Sequence, residues 1–223
     1  MTPHLDRPWL ELDLGTPHRV LSWSLTRPGF VSARHILWRE VRDADLTEAF
    51  DAVRWLRGEL AGRGRSDAVA MLTSRDLGSF QNAGACVEGV SARCVATVGL
   101  SNAERVGTRL DRTVRGPGTI NLALCTSLPL GDAALIEALA IAAQARTAAI
   151  IDAGHALPTG IATGTGTDCI VVAAPSGQTA FAGMHTALGE ALGRAAYDAV
   201  RAGAALWMDT VRRPAHPLTG ALP

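Results

Sequence analysis

The stretch Ala162–Ala174, ATGTGTDCIVVAA, joins a loop of alternating threonine and glycine to an unbroken apolar run. The run Cys169–Ala173 has no polar alternation, which is typical of a strand covered on both faces. The loop combines glycines, which let a backbone approach a ligand closely, with threonine hydroxyls and the carboxylate of Asp168. The stretch therefore predicts a buried sheet with a polar loop at its edge. That loop is either a binding site or a turn whose side chains bond the local backbone.

The loop does not fit a phosphate cradle. Such cradles follow a strand and open a helix, whereas this loop precedes a strand. All 21 basic residues are arginine, so the chain also lacks the lysine of a Walker-type phosphate site. The missing lysine excludes Schiff-base chemistry as well.

Composition favours one globular domain. The 223 residues are 48% hydrophobic and 19% charged, and 21 acidic residues balance the 21 arginines. Without a net field, nucleic acid and anionic membrane surfaces are poor partners. Charge, glycine or proline interrupts the apolar stretches, and no leader pattern is present, so a cytoplasmic protein without a membrane segment is expected. The four cysteines show no CxxC spacing, which predicts free thiols, three of them buried, rather than disulfides or a zinc site.

Strand, polar loop and helix alternate along the chain. Further apolar runs predict strands at Val20–Thr26, Ala68–Leu72, Cys94–Val98 and Ile120–Cys125. Helical patterns cover Leu46–Leu60, a segment that Asp132 is expected to cap, and His185–Trp207. These elements predict an α/β (or α+β) fold, a single layered domain with a largely buried sheet covered by helices.

The two ends are proline-rich. The first 17 residues contain three prolines, and so do the last eleven, RPAHPLTGALP. Both ends are predicted to be tails around a folded core of about 18–207. Because no linker divides the chain, residues 1–223 are taken as one domain.

The last predicted helix has a face with few side chains. If it begins near His185, then His185, Gly189 and Gly193 lie one above another, and Glu190 is on the next turn. Two helical glycines cost about 1 kcal/mol each relative to alanine. Either close packing on a neighbour or a bulky ligand against this face offsets that cost. In the second case His185, at a helix N-terminus, is a candidate general base.

Neutral polar residues are concentrated in other loops. Asn102, Thr119 and Asn121 lie in such segments, and each alone is typical of a turn. Collected at one edge of a sheet, amide and hydroxyl groups suit a substrate rich in amides. His35 is a further candidate, although its apolar neighbours are equally typical of a core histidine.

Four motifs in order carry a resemblance to a known family. They are TVGLSNAERVG at 97–107, GTINL at 118–122, ATGTGTDCIVVAA at 162–174 and AGMHTALGEALGRA at 182–195. Together they resemble the adenosylcobinamide amidohydrolase family of corrinoid salvage enzymes, over roughly residues 27–200. The chain departs from that family's usual pattern at Gln144, Arg146 and Met184, where a glutamate, a lysine and a threonine are usual.

The resemblance implies a reaction and a substrate. The reaction is hydrolysis of the amide joining the aminopropanol arm to adenosylcobinamide, which gives adenosylcobyric acid for cobalamin synthesis. The partner is then a small-molecule corrinoid that carries its own cobalt, with no separate cofactor and no metal ligands on the protein. A homo-oligomer is left open.

Amide cleavage needs a nucleophile, a stabilised oxyanion and a proton for the leaving amine. We assign His185 to general acid/base work, with Asp168 orienting it or activating water and Glu190 as a third catalytic candidate. The backbone amides of the loop, around Thr165 to Thr167, are assigned to the oxyanion. The candidate substrate-binding residues are Asn102, Thr119, Asn121, Thr165, Gly166, Thr167 and His35.

Three alternatives remain open. A metal-assisted hydrolase using His35 and His185 is less favoured, because HxxH, HxH and HExxH spacings are missing. A second mechanism uses an autoprocessed threonine at Gly118–Thr119, whose own amine would serve as base. The third alternative is a corrinoid-binding or carrier protein without chemistry.

Overall fold

The computed structural model describes residues 1–42, 50–110 and 118–211. Within these ranges the helices are α1 (Ala52–Gly62), α2 (Asp132–Ala153) and α3 (Ala187–Thr210). The strands, in chain order, are β1 Pro3–Asp6, β2 Trp9–Ser22, β3 Gly29–Glu40, β4 Val69–Thr73, β5 Gln81–Val87, β6 Val90–Val98, β7 Ala103–Glu104, β8 Ile120–Thr126, β9 Ala156–Leu157, β10 Gly160–Ile161, β11 Gly164–Thr165 and β12 Cys169–Ala174.

Eight strands form one mixed sheet in the order β4-β3-β2-β12-β8-β6-β5, with β1 beside the first part of β2. The β3–β4 and β12–β8 pairs are parallel, and the remaining pairs are antiparallel. All six residues of β12 are buried, as the apolar run predicts, because this strand lies in the middle of the sheet and is covered on both faces. The expected α/β class with a largely buried sheet is confirmed.

One face of the sheet is covered by α2 and α3. Alternate residues of the central strands, such as Leu122, Leu124 and Val172, point toward these helices and are fully buried. Leu135 and Leu192 meet them from the helices. This layer is the larger part of the core, and it fixes α2 close to the loop that precedes β12.

On the other face the sheet curls over itself. The Asn121 side-chain amide in β8 donates a hydrogen bond to the backbone oxygen of Leu72 in β4 at 2.6 Å. Three strands separate β4 from β8 in the sheet order, so only a curved sheet brings the two together. Val69 and Met71 of β4 accordingly share one buried cluster with Val95 of β6.

The prediction of an N-terminal tail was wrong, because residues 3–6 and 9–22 form β1 and β2. Pro3 is the first residue of β1, Pro8 lies in the turn that follows, and Pro17 falls within a shift of the β2–β3 register. At none of these three positions does strand pairing require a backbone N–H donor, so the prolines are compatible with strands. β2 also ends at Ser22, earlier than the expected Thr26. The predicted C-terminal tail lies outside the described residues.

Two helix starts differ from the prediction. Gly131, not Asp132, is the N-cap of α2, and the Asp132 carboxylate pairs with Arg19 at 2.9 Å instead. α3 begins at Ala187, because the Thr186 side chain caps it by accepting a hydrogen bond from the Gly189 amide at 2.9 Å. His185 therefore lies outside the helix. The expected α1 began at residue 46, which is outside the described residues, and the observed helix begins after the Asp51 cap.

In the described part of the chain, α2 is the one helix that is long and apolar enough to cross a membrane, with a mean hydropathy of 1.5. This is weak evidence for a span, because core helices of globular domains often meet the same criterion. Eight residues of α2 are buried in the core shared with α3 and the sheet.

Candidate active site

The threonine–glycine loop lies against the segment that follows β6. Gly164 and Thr165 form β11, which pairs with β7 through Thr165 opposite Ala103. Beyond β11, the Gly166 amide donates to the Asn102 backbone oxygen at 3.3 Å. The Asn102 side-chain amide in turn donates to the Thr167 hydroxyl at 3.2 Å. The loop is thus a bonded edge of the fold and not an isolated turn.

Thr167 and Asp168 attach the loop to the start of β8 at three consecutive residues. The Thr167 hydroxyl donates to the Gly118 carbonyl oxygen at 3.1 Å. The Thr119 hydroxyl donates to the Thr167 carbonyl oxygen at 2.8 Å. The Ile120 amide donates to Asp168 Oδ1 at 3.2 Å. The loop and the GTI segment therefore form one hydrogen-bonded unit.

The Asp168 carboxylate is almost fully engaged. It accepts hydrogen bonds from the Thr165 amide at 3.1 and 3.2 Å and from the Thr165 hydroxyl, and it forms an ion pair with Arg146 of α2. Its side chain is only 7% exposed, and that of Arg146 is 16% exposed. Burial lowers the pKa of Arg146 from its ordinary value. A carboxylate with this many donors favours its charged form and positions its neighbours rather than accepting a proton from substrate.

Gly164 is required by this pair. A Cβ atom on Gly164 would lie 2.6 Å from Asp168 Oδ2 and against the Arg146 guanidinium. A side chain at this position would displace one of the two charged groups. Gly164 thus leaves room for the ion pair, and not for a ligand as the sequence suggested.

The structure brings together most of the predicted binding residues. Asn102, Thr119, Asn121, Thr165, Gly166, Thr167 and Asp168 all belong to the loop and its contacts. Thr119 and Asn121 lie beneath the surface, with 5% and 1% exposure, and the Thr119 hydroxyl is 3.2 Å from Asn121 Oδ1. Asn121 bonds to β4 as well and is a structural contact.

His35 lies elsewhere. It belongs to β3, and its Nδ1 is 2.9 Å from Glu11 Oε1 on the adjacent strand. Arg65 pairs with the same carboxylate at 2.8 Å. His35 therefore lies beside a charged network, and among the described residues its buried Nδ1 has no partner with hydrogen-bond geometry. The described contacts of His35 do not include the loop.

Neither His185 nor Glu190 is among the described partners of Asp168, and Glu190 lies on another side of α2. His185 is exposed in the turn before α3, and Glu190 forms an exposed ion pair with Arg194 at 2.7 Å. Glu190 shares a groove with Gln144 of α2, whereas Arg146 of the same helix faces Asp168. Residues two positions apart on a helix point about 200° apart, so the two sides are distinct. The structure does not place the Asp168 carboxylate against the histidine.

The groove between α2 and α3 has a volume of about 440 Å³ and a mostly apolar lining, which includes Gln144, Ala148, Met184, Gly193 and Tyr197. Of the two glycines on the face predicted from the sequence, Gly189 is closely packed, since a Cβ there would lie 2.1 Å from the Gly183 carbonyl oxygen. At Gly193 the nearest atom is Ile141 Cγ2 at 3.6 Å, an ordinary contact. Close packing therefore explains Gly189, whereas Gly193 borders the groove and is not explained by close packing.

Comparison with known proteins places the chain in a family. The profile of the adenosylcobinamide amidohydrolases matches residues 2–212, nearly its whole length. The chain belongs to the adenosylcobinamide amidohydrolase family. An adenosylcobinamide amidohydrolase of Halobacterium salinarum is 37% identical over 145 residues, which cover 57% of this chain and 60% of that protein. The chain therefore aligns with less than two thirds of that relative's length.

A solved structure is also similar, the PH0078 protein of Pyrococcus horikoshii OT3. It has a TM-score of 0.44 and 10% sequence identity, over 87% of this chain and 76% of that protein. A likeness at this level defines neither fold nor function.

The structure locates the three residues at which this chain departs from the family's expected pattern. Gln144 and Met184 both line the groove, while Arg146, where the resemblance leads us to expect a lysine, pairs with Asp168. Arginine has the same charge as the expected lysine and more hydrogen-bond donors. The role of Arg146 was missed by sequence reasoning. The available signal was that Arg146 is the one basic residue of the predominantly apolar helix α2, and a buried charge needs a partner.

Trp23 is a second residue that the sequence did not reveal. Its indole N–H donates to the Asp168 carbonyl oxygen at 2.7 Å, while the ring is 48% exposed. It therefore holds the far end of the loop from outside the sheet. No pattern in the sequence marks it, because its partner is a backbone oxygen 145 residues away.

Among the described residues, no group of three or more histidine, cysteine, aspartate or glutamate side chains is arranged to hold a metal ion. The polar groups at the loop are hydroxyls, amides and one paired carboxylate. Such an arrangement can orient and polarise an amide carbonyl.

Proposed function

We propose that the chain hydrolyses the amide bond between the aminopropanol arm and the corrin side chain of adenosylcobinamide, giving adenosylcobyric acid. The observation that carries the proposal is the family match over residues 2–212, which includes every residue of the loop unit. The reaction would serve corrinoid salvage, and a cytoplasmic location stays part of the proposal.

The loop unit supports amide chemistry. The reaction needs donors aimed at an oxygen that becomes negatively charged, together with a nucleophile beside the carbonyl carbon. The Thr167 hydroxyl already donates to the Gly118 carbonyl oxygen at 3.1 Å. The Thr119 hydroxyl donates to the Thr167 carbonyl oxygen at 2.8 Å. Asp168 would hold this arrangement through Ile120 and Arg146, as a positioning residue.

The catalytic roles assigned to His185 and Glu190 stay predictions. Glu190 lines the groove between α2 and α3, and His185 directly follows the lining residue Met184, so we propose that both act on a part of the corrinoid bound there. A general acid or base contributes about 10² to 10⁴ in rate. If His185→Ala or Glu190→Gln lowers kcat by less than about tenfold, the residue changed has no such role.

One end-point assay tests the function. The purified chain is incubated with adenosylcobinamide, and aminopropanol and adenosylcobyric acid are measured by mass spectrometry. Release of both in equal amounts is expected. Binding of the corrinoid without release would support the carrier alternative and reject the hydrolase. A parallel sample with cobinamide lacking the adenosyl ligand shows whether that ligand is needed.

A further inference from the structure

The peptide bond between Gly118 and Thr119 is held from both sides by one residue. The Thr167 hydroxyl donates to the Gly118 carbonyl oxygen at 3.1 Å, and the Thr167 carbonyl oxygen accepts from the Thr119 hydroxyl at 2.8 Å. A hydroxyl is thus fixed next to the carbonyl group of its own peptide bond. The same carbonyl is polarised by a donor, which is the arrangement that stabilises a developing oxyanion.

Thr119 is not accessible to a substrate in the unbroken chain. It is 5% exposed, and Gly118 is packed against the segment that follows β6. A Cβ on Gly118 would lie 2.8 Å from the Ser101 amide nitrogen and 2.9 Å from that of Asn102. Only glycine fits here, and a corrinoid cannot reach the Thr119 hydroxyl while Gly118 stays attached.

We infer that the chain cleaves itself between Gly118 and Thr119, and that Thr119, as a new N-terminal residue, is the nucleophile. The second half of this inference rests on the proposed function. Self-cleavage explains why the Thr119 hydroxyl is held by the loop beside its own peptide bond and is nevertheless covered.

The chemistry balances with water as the co-reactant. Thr119 Oγ1 adds to the Gly118 carbonyl carbon, and the resulting oxyanion accepts the hydrogen bond of Thr167. The C–N bond breaks, the hydroxyl proton passes to the Thr119 nitrogen, and an ester joins Gly118 to Oγ1. Water hydrolyses the ester, leaving a Gly118 carboxylate and a Thr119 with a free α-amine and a free hydroxyl.

A neighbouring side chain can accept a hydrogen bond from the new α-amine. Asn102 Oδ1 is buried without a hydrogen-bond partner among the described residues, and it lies 3.0 Å from the Cβ position of Gly118. A buried acceptor without a donor is unfavourable, and the α-amine created by cleavage is a donor. Gly99 faces the Thr119 nitrogen, which is 3.5 Å from the Cβ position of Gly99, so position 99 places no side chain against the amine.

After cleavage, the same groups can act on the substrate. The α-amine takes the proton of the Thr119 hydroxyl, and Oγ1 attacks the amide carbonyl of adenosylcobinamide. The aminopropanol leaves with that proton, and water then hydrolyses the ester between Oγ1 and the corrin side chain. The Thr167 hydroxyl, released from Gly118, is available for the oxyanion of this step.

The first measurement is the mass of the purified active chain under denaturing conditions. Two polypeptides are expected, residues 1–118 and 119–223, and N-terminal sequencing of the second should begin at Thr119. A preparation that releases aminopropanol and consists of unbroken chain would overturn the inference.

Variants separate the hydroxyl from its surroundings. Thr119→Ala should leave the chain unbroken and lower aminopropanol release at least 10³-fold, whereas Thr119→Ser should restore both cleavage and release. Thr167→Val should slow cleavage about 10²-fold, since one oxyanion donor is lost. The matched control is Thr108→Ala. Thr108 is exposed, its hydrogen bonds within the described residues go to Arg105, and the variant should cleave at the normal rate.

The outcomes distinguish the two proposals. Cleavage in Thr119→Ala, or full release of aminopropanol by an unbroken Thr119→Ala chain, overturns the inference. A third outcome is cleavage before Thr119 in every variant except Thr119→Ala, without release of aminopropanol. This result would support self-cleavage and reject the amidohydrolase function. Circular dichroism of each variant confirms that a loss of cleavage is not a loss of folding.

Discussion

The guanidinium of Arg146 pairs with the carboxylate of Asp168, joining the middle of α2 to the loop that precedes the central strand β12. Both side chains are largely buried, at 16% and 7% exposure. The pair differs in environment from the Glu190–Arg194 pair of α3, in which both side chains are more than half exposed. The two pairs have similar chemistry and differ in burial, so they allow a controlled comparison.

Asp168→Asn should lower the free energy of unfolding by about 3 to 5 kcal/mol, because Arg146 would stay buried without a counter-charge. Urea unfolding followed by circular dichroism measures this, in a Thr119→Ala background so that every variant is a single polypeptide. Glu190→Gln is the control and should change stability by less than about 0.5 kcal/mol, because an exposed i,i+4 pair contributes little. Equal losses in the two variants would contradict a structural role for the buried pair.

The glycines of α3 should respond differently to the same substitution. Gly189→Ala should destabilise the fold by about 1 to 3 kcal/mol, because its Cβ would lie 2.1 Å from the Gly183 carbonyl oxygen. Gly193→Ala should stabilise it by up to about 1 kcal/mol, because alanine is the better helix former and the nearest atom is 3.6 Å away. Thermal unfolding of the two variants measures the difference. A destabilising Gly193→Ala would show that the groove is filled in the folded protein.

Much of the layered architecture was predictable because its signals are local. The run Cys169–Ala173 lies in the buried central strand, and strands also form at or around the other apolar runs. The N-terminal strands were missed because three prolines dominate the local pattern, although each lies where the ladder needs no donor. Their position is decided by pairing with β3 and β12, which the sequence does not display.

The site was predictable in its residue types and less so in its geometry. Thr119, Thr167 and Asp168 do meet, since the parallel pairing of β8 with β12 places the segments before both strands at one edge of the sheet. The pairing of Asp168 with His185 was not found, because Thr186 caps α3 and keeps the histidine out of it. The Asp168 carboxylate pairs with Arg146 instead. That contact depends on which side of α2 faces the sheet, and the sequence does not show this.

The four thiols should differ sharply in reactivity. Cys86 is exposed, whereas burial raises the pKa of Cys125 and of Cys169 to about 12 and that of Cys94 further. Because the thiolate is the reactive form, an alkylating reagent at pH 8 should label one thiol rapidly in the native protein and all four in urea. Cys86→Ser should remove the rapid phase, and a second rapid thiol would contradict the burial of the other three. Cys169 directly follows Asp168, so loss of the ion pair in Asp168→Asn should make the loop open more often. The labelling rate of Cys169 should then increase by roughly the same factor as the population of the open loop.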